Sequence, residues 1–256
     1  MNENLRNALR KLRLSGLAQS LEVRLQEAAG HNLNHAEFLE LILQDELAIR
    51  AERLIQRRVK AAAFREVKSI DQFDFSFNPS IKRPQIFDLA TCRFIEEKVA
   101  VFIVGPCGTG KSHIAKTVAH GAIEAGYKVM YREAHTFFED LFEASELKRK
   151  KKVNKLFAEA DLLVIDDLFL RKKMPDQAAD DLLDIILTRY SARRSTVITS
   201  NRPLEDWGKL LRDNAASSAI VDRLLHRGHL LQFEGRSYRL KEASIRLAAN
   251  KRKRSG

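Results

Sequence analysis

The stretch "VAVFIVGPCGTGKS", residues 99–112, constrains the fold more than any other part of the chain. Its first half is an unbroken apolar run, mostly β-branched, and reads as a strand buried on both faces. It passes directly into GPCGTGKS, the P-loop pattern, in which glycines let the backbone curl its N–H groups inward and a helix opens at once. Strand, tight glycine turn and helix in that order imply a parallel sheet joined by helical crossovers.

The chemistry of the pattern is phosphate binding. Gly105, Pro106, Cys107, Gly108, Thr109, Gly110, Lys111 and Ser112, with His113 beside them, are the expected nucleotide-binding residues. Lys111 neutralises phosphate oxygens, Ser112 reaches Mg²⁺, and the helix that follows presents its positive end. The cofactors expected are ATP and Mg²⁺. Cys107 occupies a variable position and reads as a filler.

Further apolar strands alternate with helical patterns: "KVMYREA" at 128–134, "DLLVIDD" at 161–167, "STVITSN" at 195–201 and "HLLQFEG" at 229–235. Such alternation argues for a parallel sheet flanked by helices on both faces. The third strand ends in Asp166 and Asp167. A carboxylate there faces the P-loop hydroxyl, so Asp166 is expected on the metal side. Side chains alternate along a strand, so Asp167 is expected to point elsewhere and to polarise an attacking water.

Residues 1–68 carry helical periodicity only. Leu5, Leu9 and Leu12 mark one face, Leu14, Leu17, Leu21 and Leu25 continue it after the Ser15-Gly16 interruption, and Asn34 with Glu37 resembles a capping box opening a long helix. The predicted organisation is a small all-helical N-terminal module for DNA or partner contact (1–68), a linker with Phe73, Phe75, Phe77, Pro79 and Pro84 that starts the ATPase domain (69–98), the core (99–245) and a basic tail (246–256).

The net charge of +11 over 256 residues makes a polyanion the first partner to consider. No long apolar stretch suggests a membrane. Two cysteines, Cys92 and Cys107, provide no disulfide framework, and the first residues lack the apolar core of a signal peptide, so a cytoplasmic setting is expected. His31 and His35 have a metal-like spacing without a third ligand, and no metal site is expected at that pair.

The paired acids, the strand ending "TSN" and the downstream "DRLL" are marks of AAA+ ATPases. Together with "FDFSFNP", "VGPCGTGKSHIA", "ADLLVIDDL", "VITSNRP", "AIVDRLLHRGHLLQFEG" and "SYRL", they make the chain resemble the IstB-type transposition helper ATPases, kin of the DnaC helicase loaders. The resemblance implies a P-loop AAA+ core. It implies that Asn201 is a sensor orienting water, that Arg223 is an arginine finger offered to a neighbouring subunit, and that Arg239 is a second sensor on phosphate. Bland readings stand beside these: Asn201 as a cap, Arg223 paired with Asp222 or Glu234, Arg239 as an exposed charge. AAA+ enzymes commonly carry Glu where this chain has Asp167, and the shorter side chain implies slow hydrolysis.

The resemblance also implies duplex DNA and a cognate transposase as partners, with ATP-dependent self-association. A helicase loader acting on single strands is the nearest alternative; a small-molecule kinase and a non-hydrolysing scaffold are more distant ones. The run "ELKRKKKVNK" at 146–155 fits this picture. Lys148, Arg149, Lys150, Lys151, Lys152 and Lys155, repeated from each subunit, are expected to grip the DNA backbone without reading sequence. A merely solvated charge run is the competing reading.

Overall fold

The computed structural model describes residues 2–62, 64, 69–170 and 174–254, the last seven without their side chains. The chain divides into two compact units, Met1–Arg58 and Val59–Gly256. The division falls ten residues before the expected end of the helical module.

The first unit is helical throughout: α1 (Glu3–Lys11), α2 (Ser15–His31) and α3 (His35–Ala62), the last running past the division. The capping box forms as the spacing predicts. Asn34 Oδ1 accepts from the Ala36 and Glu37 N–H groups, and Glu37 Oε2 accepts from the Asn34 N–H at 2.8 Å. The core is small, with Leu9, Leu17, Leu21 and Ile42 buried and Leu14, Ala18 and Phe38 packed on it. Leu5, Leu12 and Leu25, expected on the same faces, are exposed.

Two acids hold α2 to α3. Glu46 is buried and accepts the Leu17 N–H at 2.9 Å, supplying the cap that Leu14 cannot offer at the start of α2. Gly16 lets the helices approach, since a Cβ there would sit 2.9 Å from that of Ile49. Burial alone raises the Glu46 pKa, but the Leu17 N–H, Arg50 and the Gly16 N–H outweigh it and leave the carboxyl below its ordinary value. Arg24 grips both oxygens of Asp45 at 2.8 Å, a two-pronged bond that holds Asp45 down near pKa 2, with Ser20 assisting.

The second unit is built on five parallel strands, β1 (Ala100–Val104), β2 (Val129–Glu133), β3 (Leu162–Leu168), β4 (Ser195–Ser200) and β5 (Gly228–Gln232), in the spatial order β2-β3-β4-β1-β5. Short helices α4 (Arg83–Ala90) and α5 (Arg93–Glu96) precede β1. The crossovers are α6 (Lys111–Glu124), α7 (Ala134–Glu146) with α8 (Lys150–Glu159), α9 (Ala178–Ser191), and α10 (Trp207–Leu211) with α11 (Asn214–His226); α12 (Tyr238–Arg254) follows β5.

Strand alternation sorts the two faces. Phe102, Met130, Leu163, Ile165 and Ile198 join α7, α9 and α11 in one large core, so Tyr131, Asp166 and Thr199, one position on, lie on the opposite, α6 side. On the core side Arg189 is buried yet fully partnered. Its guanidinium donates to Thr196 Oγ1 at 2.9 Å and to the carbonyls of Phe157, Ala158, Ala160 and Ser195, collecting acceptors that the end of α8 leaves open. Burial, with Arg194 nearby, pushes its pKa down to about 9.

No helix among the described residues is long and apolar enough to cross a membrane. No group of three metal-ligating side chains forms among them either.

Candidate functional site

The P-loop spans the gap between the end of β1 and the start of α6. Gly108 and Gly110 hold φ angles of +79° and +104°, the region that side chains disfavour. A Cβ on Gly110 would come within 2.4 Å of the Phe73 ring. That ring also meets His113 edge-on at 5.3 Å, so the segment before β1 closes one wall of the loop. His113 Nε2 lies 2.8 Å from the Ser69 carbonyl oxygen, which ties the same wall to α6. On the other side the Tyr238 N–H donates to the Gly108 carbonyl at 2.9 Å, setting the first turn of α12, and Arg239 with it, over the loop.

Lys111 is buried, and its ammonium donates to the Pro106 carbonyl at 2.8 Å; Thr109 Oγ1 donates to the same oxygen at 2.9 Å. Desolvation lowers the Lys111 pKa, opposed chiefly by Asp167 and Cys107 and then by Asp166. A desolvated ammonium whose hydrogen bond goes to a neutral carbonyl gains from an anion brought to the loop. The residues present therefore fit a phosphate chain.

Both acids at the end of β3 face this loop. Asp166 is 1 % exposed, and its two carboxylate oxygens accept from Tyr131 OH at 2.6 Å and from Thr199 Oγ1. The Thr199 oxygen accepts in turn from the Asp167 N–H at 2.8 Å. The β3–β4 register breaks between Ile165 and Leu168, and Asp167 takes φ +56°. Simple alternation, which would send Asp167 to the other face, fails at this break. Its carboxyl comes within hydrogen-bonding reach of Ser112 and lines the same groove. Burial and then the Asp166 charge push its pKa up, against Lys111, Arg239 and Ser112. Tyr131 is pushed up as well, by burial and by the Asp166 charge that its hydroxyl serves.

The groove measures about 560 Å³ and is lined by Cys107, Gly108, Gly110, Lys111, Ser112, His113 and Asp167 among others. Gln72, Lys116, Tyr238 and Glu242 also line it, and the sequence reading assigned none of them a role. Tyr238 falls within the quoted "SYRL", without an individual function, whereas Gln72, Lys116 and Glu242 lie just outside the quoted motifs. Beside Gly110, a pocket of about 70 Å³ runs between Phe73, Phe77, Asn78 and Tyr238. A larger pocket, about 620 Å³, lies across Asp167 between α7 and the segment after β3. Phe138, Phe142, Phe169, Leu170 and Met174 make it apolar, and it contains no P-loop residue.

The other sequence-predicted residues divide. Asn201 follows β4 and donates from Nδ2 to Cys107 Sγ at 3.4 Å, while its buried Oδ1 has no hydrogen-bond partner among the described residues. Cys107 thereby touches a candidate sensor, more than a filler does. Arg239 lines the groove. Arg223 does not. It shares a cleft with Lys98, Ala100 and Thr196, at the opposite end of β1 and β4 from the P-loop, and contacts Asp222 only loosely at 3.5 Å.

The basic run is split by the fold. Lys148 and Arg149 stand in the turn between α7 and α8 and are exposed, as are Lys151, Lys152 and Lys155 on α8. Lys150 instead pairs with Asp181, a largely buried carboxylate on α9, and Lys155 lies 3.6 Å from Glu159. Lys150 thus holds two helices together and is not an open surface cation. The basic side chains of the tail, Lys251 to Arg254, lie outside the described residues.

A parallel sheet in this order, with a P-loop after β1, between β4 and β5, and an acid pair at the end of β3, defines a nucleotide-binding P-loop protein of the AAA+ class. The solved structures agree on the fold. The DnaC helicase loader matches at TM-score 0.52 and 20 % identity, covering 70 % of this chain and 99 % of that one. AMPPCP-bound DnaA from Aquifex aeolicus matches at 0.53 and 22 %, covering 71 % and 54 %. Within that class the chain belongs to the IstB-like ATP binding protein family, whose model matches residues 7–246. Among relatives, the ATP-binding protein of insertion sequence IS21 from Pseudomonas aeruginosa is 34 % identical, over 91 % of this chain and 88 % of its own length. The corresponding IS5376 protein of Geobacillus stearothermophilus is 32 % identical over 96 % and 97 %.

Proposed function

We propose that the chain is an ATP-hydrolysing helper of DNA transposition, which assembles with further copies of itself on duplex DNA and brings a transposase to it. The observation that carries the reading is the separation of Arg223 from its own P-loop by the length of the sheet, about 17 Å for a five-residue strand. A guanidinium so placed cannot serve its own nucleotide, whereas a neighbouring copy's nucleotide is open to it. The net charge of +11 and the exposed Lys148, Arg149, Lys151 and Lys152 support a polyanionic track. The insertion-sequence names of the relatives support transposition as the setting and a transposase as the partner.

In this mechanism the P-loop N–H groups and Lys111 hold the phosphates, and the pocket between Phe73, Phe77 and Tyr238 receives the base. Ser112 and Asp166 hold Mg²⁺, which when bound supplies charge neutralisation across the phosphate oxygens. Each Asp166 oxygen has two lone pairs, so accepting from Tyr131 and Thr199 leaves one apiece for the metal or its waters. Asp167, its pKa raised, takes a proton from water more readily than an ordinary aspartate, and Asn201 offers its free Oδ1 to the same water. Arg223 of the adjacent copy meets the charge that develops on the phosphoryl oxygens.

Mixing two inactive variants tests the central claim. Lys111→Ala lacks a working P-loop but keeps its finger, and Arg223→Ala has the reverse defect. Each alone is expected to lose DNA-stimulated phosphate release, by about 10³-fold for the finger. Together they should recover part of it, because mixed interfaces contain one complete site. Undiminished turnover by Arg223→Ala, or no recovery on mixing, would sink the proposal. Repeating the assay with single-stranded DNA separates this reading from a loader's, which predicts the stronger stimulation by single strands.

A further inference from the structure

Asp166 is gripped by the strands on either side of its own. Tyr131 stands on β2 and Thr199 on β4, and β3 runs between them. Ile165 pairs with Ile198, which makes Asp166 and Thr199 neighbours one position on; Tyr131 lies two residues before Glu133, the β2 partner of Asp166, and so shares its face. The Tyr131 hydroxyl donates to Oδ2 at 2.6 Å and the Thr199 hydroxyl donates to Oδ1. Thr199 Oγ1 accepts the Asp167 N–H at 2.8 Å, which leaves its single proton for Asp166. Tyr131 is itself fixed. It is buried, the Phe64 ring packs on it at 5.2 Å, and the Lys116 ammonium of α6 lies over its ring at 5.8 Å.

A free aspartate carboxylate turns easily, because its last torsion is broad and two-fold. A donor on each oxygen, each from a strand hydrogen-bonded to β3, stops that rotation. Among the described residues the side-chain hydrogen bonds to Asp166 come from these two neutral hydroxyls and from no cation, so the clamp fixes the direction of the carboxylate without neutralising it. We propose that Tyr131, with Thr199, is a positioning residue that makes the metal site select Mg²⁺ over Ca²⁺. Mg²⁺ is the smaller ion and demands near-ideal octahedral geometry, whereas Ca²⁺ takes more oxygens at longer and more variable distances. A carboxylate fixed in advance suits the demanding ion and cannot shift to accommodate the larger one. The inference rests on the reading that Asp166 holds the cation, and it adds which cation is taken and which side chains decide it.

Calorimetric titration of the full chain with AMPPCP reads this selectivity without turnover, at saturating Mg²⁺, at saturating Ca²⁺ and in EDTA. The unaltered chain is expected to bind the Mg²⁺ complex more tightly than the Ca²⁺ complex. Tyr131→Phe keeps the ring and removes the hydroxyl; it should weaken the Mg²⁺ complex about 10- to 100-fold and the Ca²⁺ complex no more than about threefold, with binding in EDTA unchanged. Thr199→Val removes the second donor and should shift the ratio in the same direction. Thr199→Ser keeps the donor while trimming a buried methyl, and should lower the melting temperature with the ratio unchanged. Equal weakening of both complexes by Tyr131→Phe, no weakening of either, or an unaltered chain without preference for Mg²⁺ overturns the inference. Asp166→Asn tests the level beneath, and should remove most of the advantage that either metal gives over EDTA. If it does so while Tyr131→Phe leaves the ratio unchanged, the clamp fails and the metal reading stands; if Asp166→Asn leaves the advantage intact, the metal reading fails and the clamp with it.

Discussion

The two units treat buried charge in opposite ways. In the helical unit Glu46 has the Leu17 N–H and Arg50, and Asp45 has Nε and Nη2 of Arg24. Each buried charge there is answered from within the unit. At the P-loop of the second unit the Lys111 ammonium donates to a carbonyl and has no ion pair among the described residues, and Asp167 is pushed towards neutrality. Arg189, in the same unit, is answered completely by carbonyls and a hydroxyl and has no evident task beyond holding α8 and α9 together. Burial of a charge is therefore a poor guide to function, and incomplete satisfaction of a buried charge is a better one.

Removing the under-satisfied charges should harm activity and spare stability. Asp167→Asn is expected to lower phosphate release by about 10²- to 10⁴-fold and to flatten the acid side of its pH profile. In the unaltered chain that side should fall at a pH above the ordinary carboxylate range, because the Asp167 pKa is raised. Lys111→Ala should weaken nucleotide binding by about 100-fold or more, read by calorimetry, without lowering the melting temperature. A clear loss of stability in either variant would break the contrast between the units.

Removing a satisfied charge should do the reverse. Glu46→Ala leaves the Leu17 N–H buried without an acceptor and should destabilise the helical unit by about 1–3 kcal/mol in urea, with nucleotide affinity intact. A smaller effect concerns the exposed cations. Lys151→Ala with Lys152→Ala should reduce duplex affinity several-fold and lessen the slope of its salt dependence by about two, equally for all sequences. Lys150→Ala should act through stability, since its partner Asp181 is largely buried. The smallest effect is that of pH on Asp45. Its folded pKa, near 2, lies below the ordinary value of about 3.9, so its contribution is complete above pH 4 and is lost as pH falls towards 2. Thermal melts of Asp45→Asn should therefore differ from the unaltered chain at pH 6 and converge with it near pH 2.

Local patterns made much of this legible. "VAVFIVGPCGTGKS" announced β1, the phosphate loop and α6, because a buried strand, positive-φ glycines and a helix start are each written in neighbouring residues. The Asn34-Glu37 capping box was readable for the same reason. Asp167 was misjudged in direction, because alternation presumes an unbroken strand and the register break at β3 comes from pairing with β4. Lys150 was misjudged in company: nothing within "ELKRKKKVNK" tells that Asp181, far along the chain on α9, waits beneath it.

By itself, then, the sequence determined the class of fold, the location of the phosphate loop and the acids that accompany it, since these follow from the backbone freedom and polarity of adjacent residues. Only the tertiary structure decided that Tyr131 and Thr199 grip Asp166, that Gln72 and Tyr238 wall the groove, that Arg223 stands at the far end of the sheet, and that the leucines of α3 are left uncovered. Those are relations between segments distant in the chain, and a side chain's direction, burial and partner come into being only when packing brings such segments together.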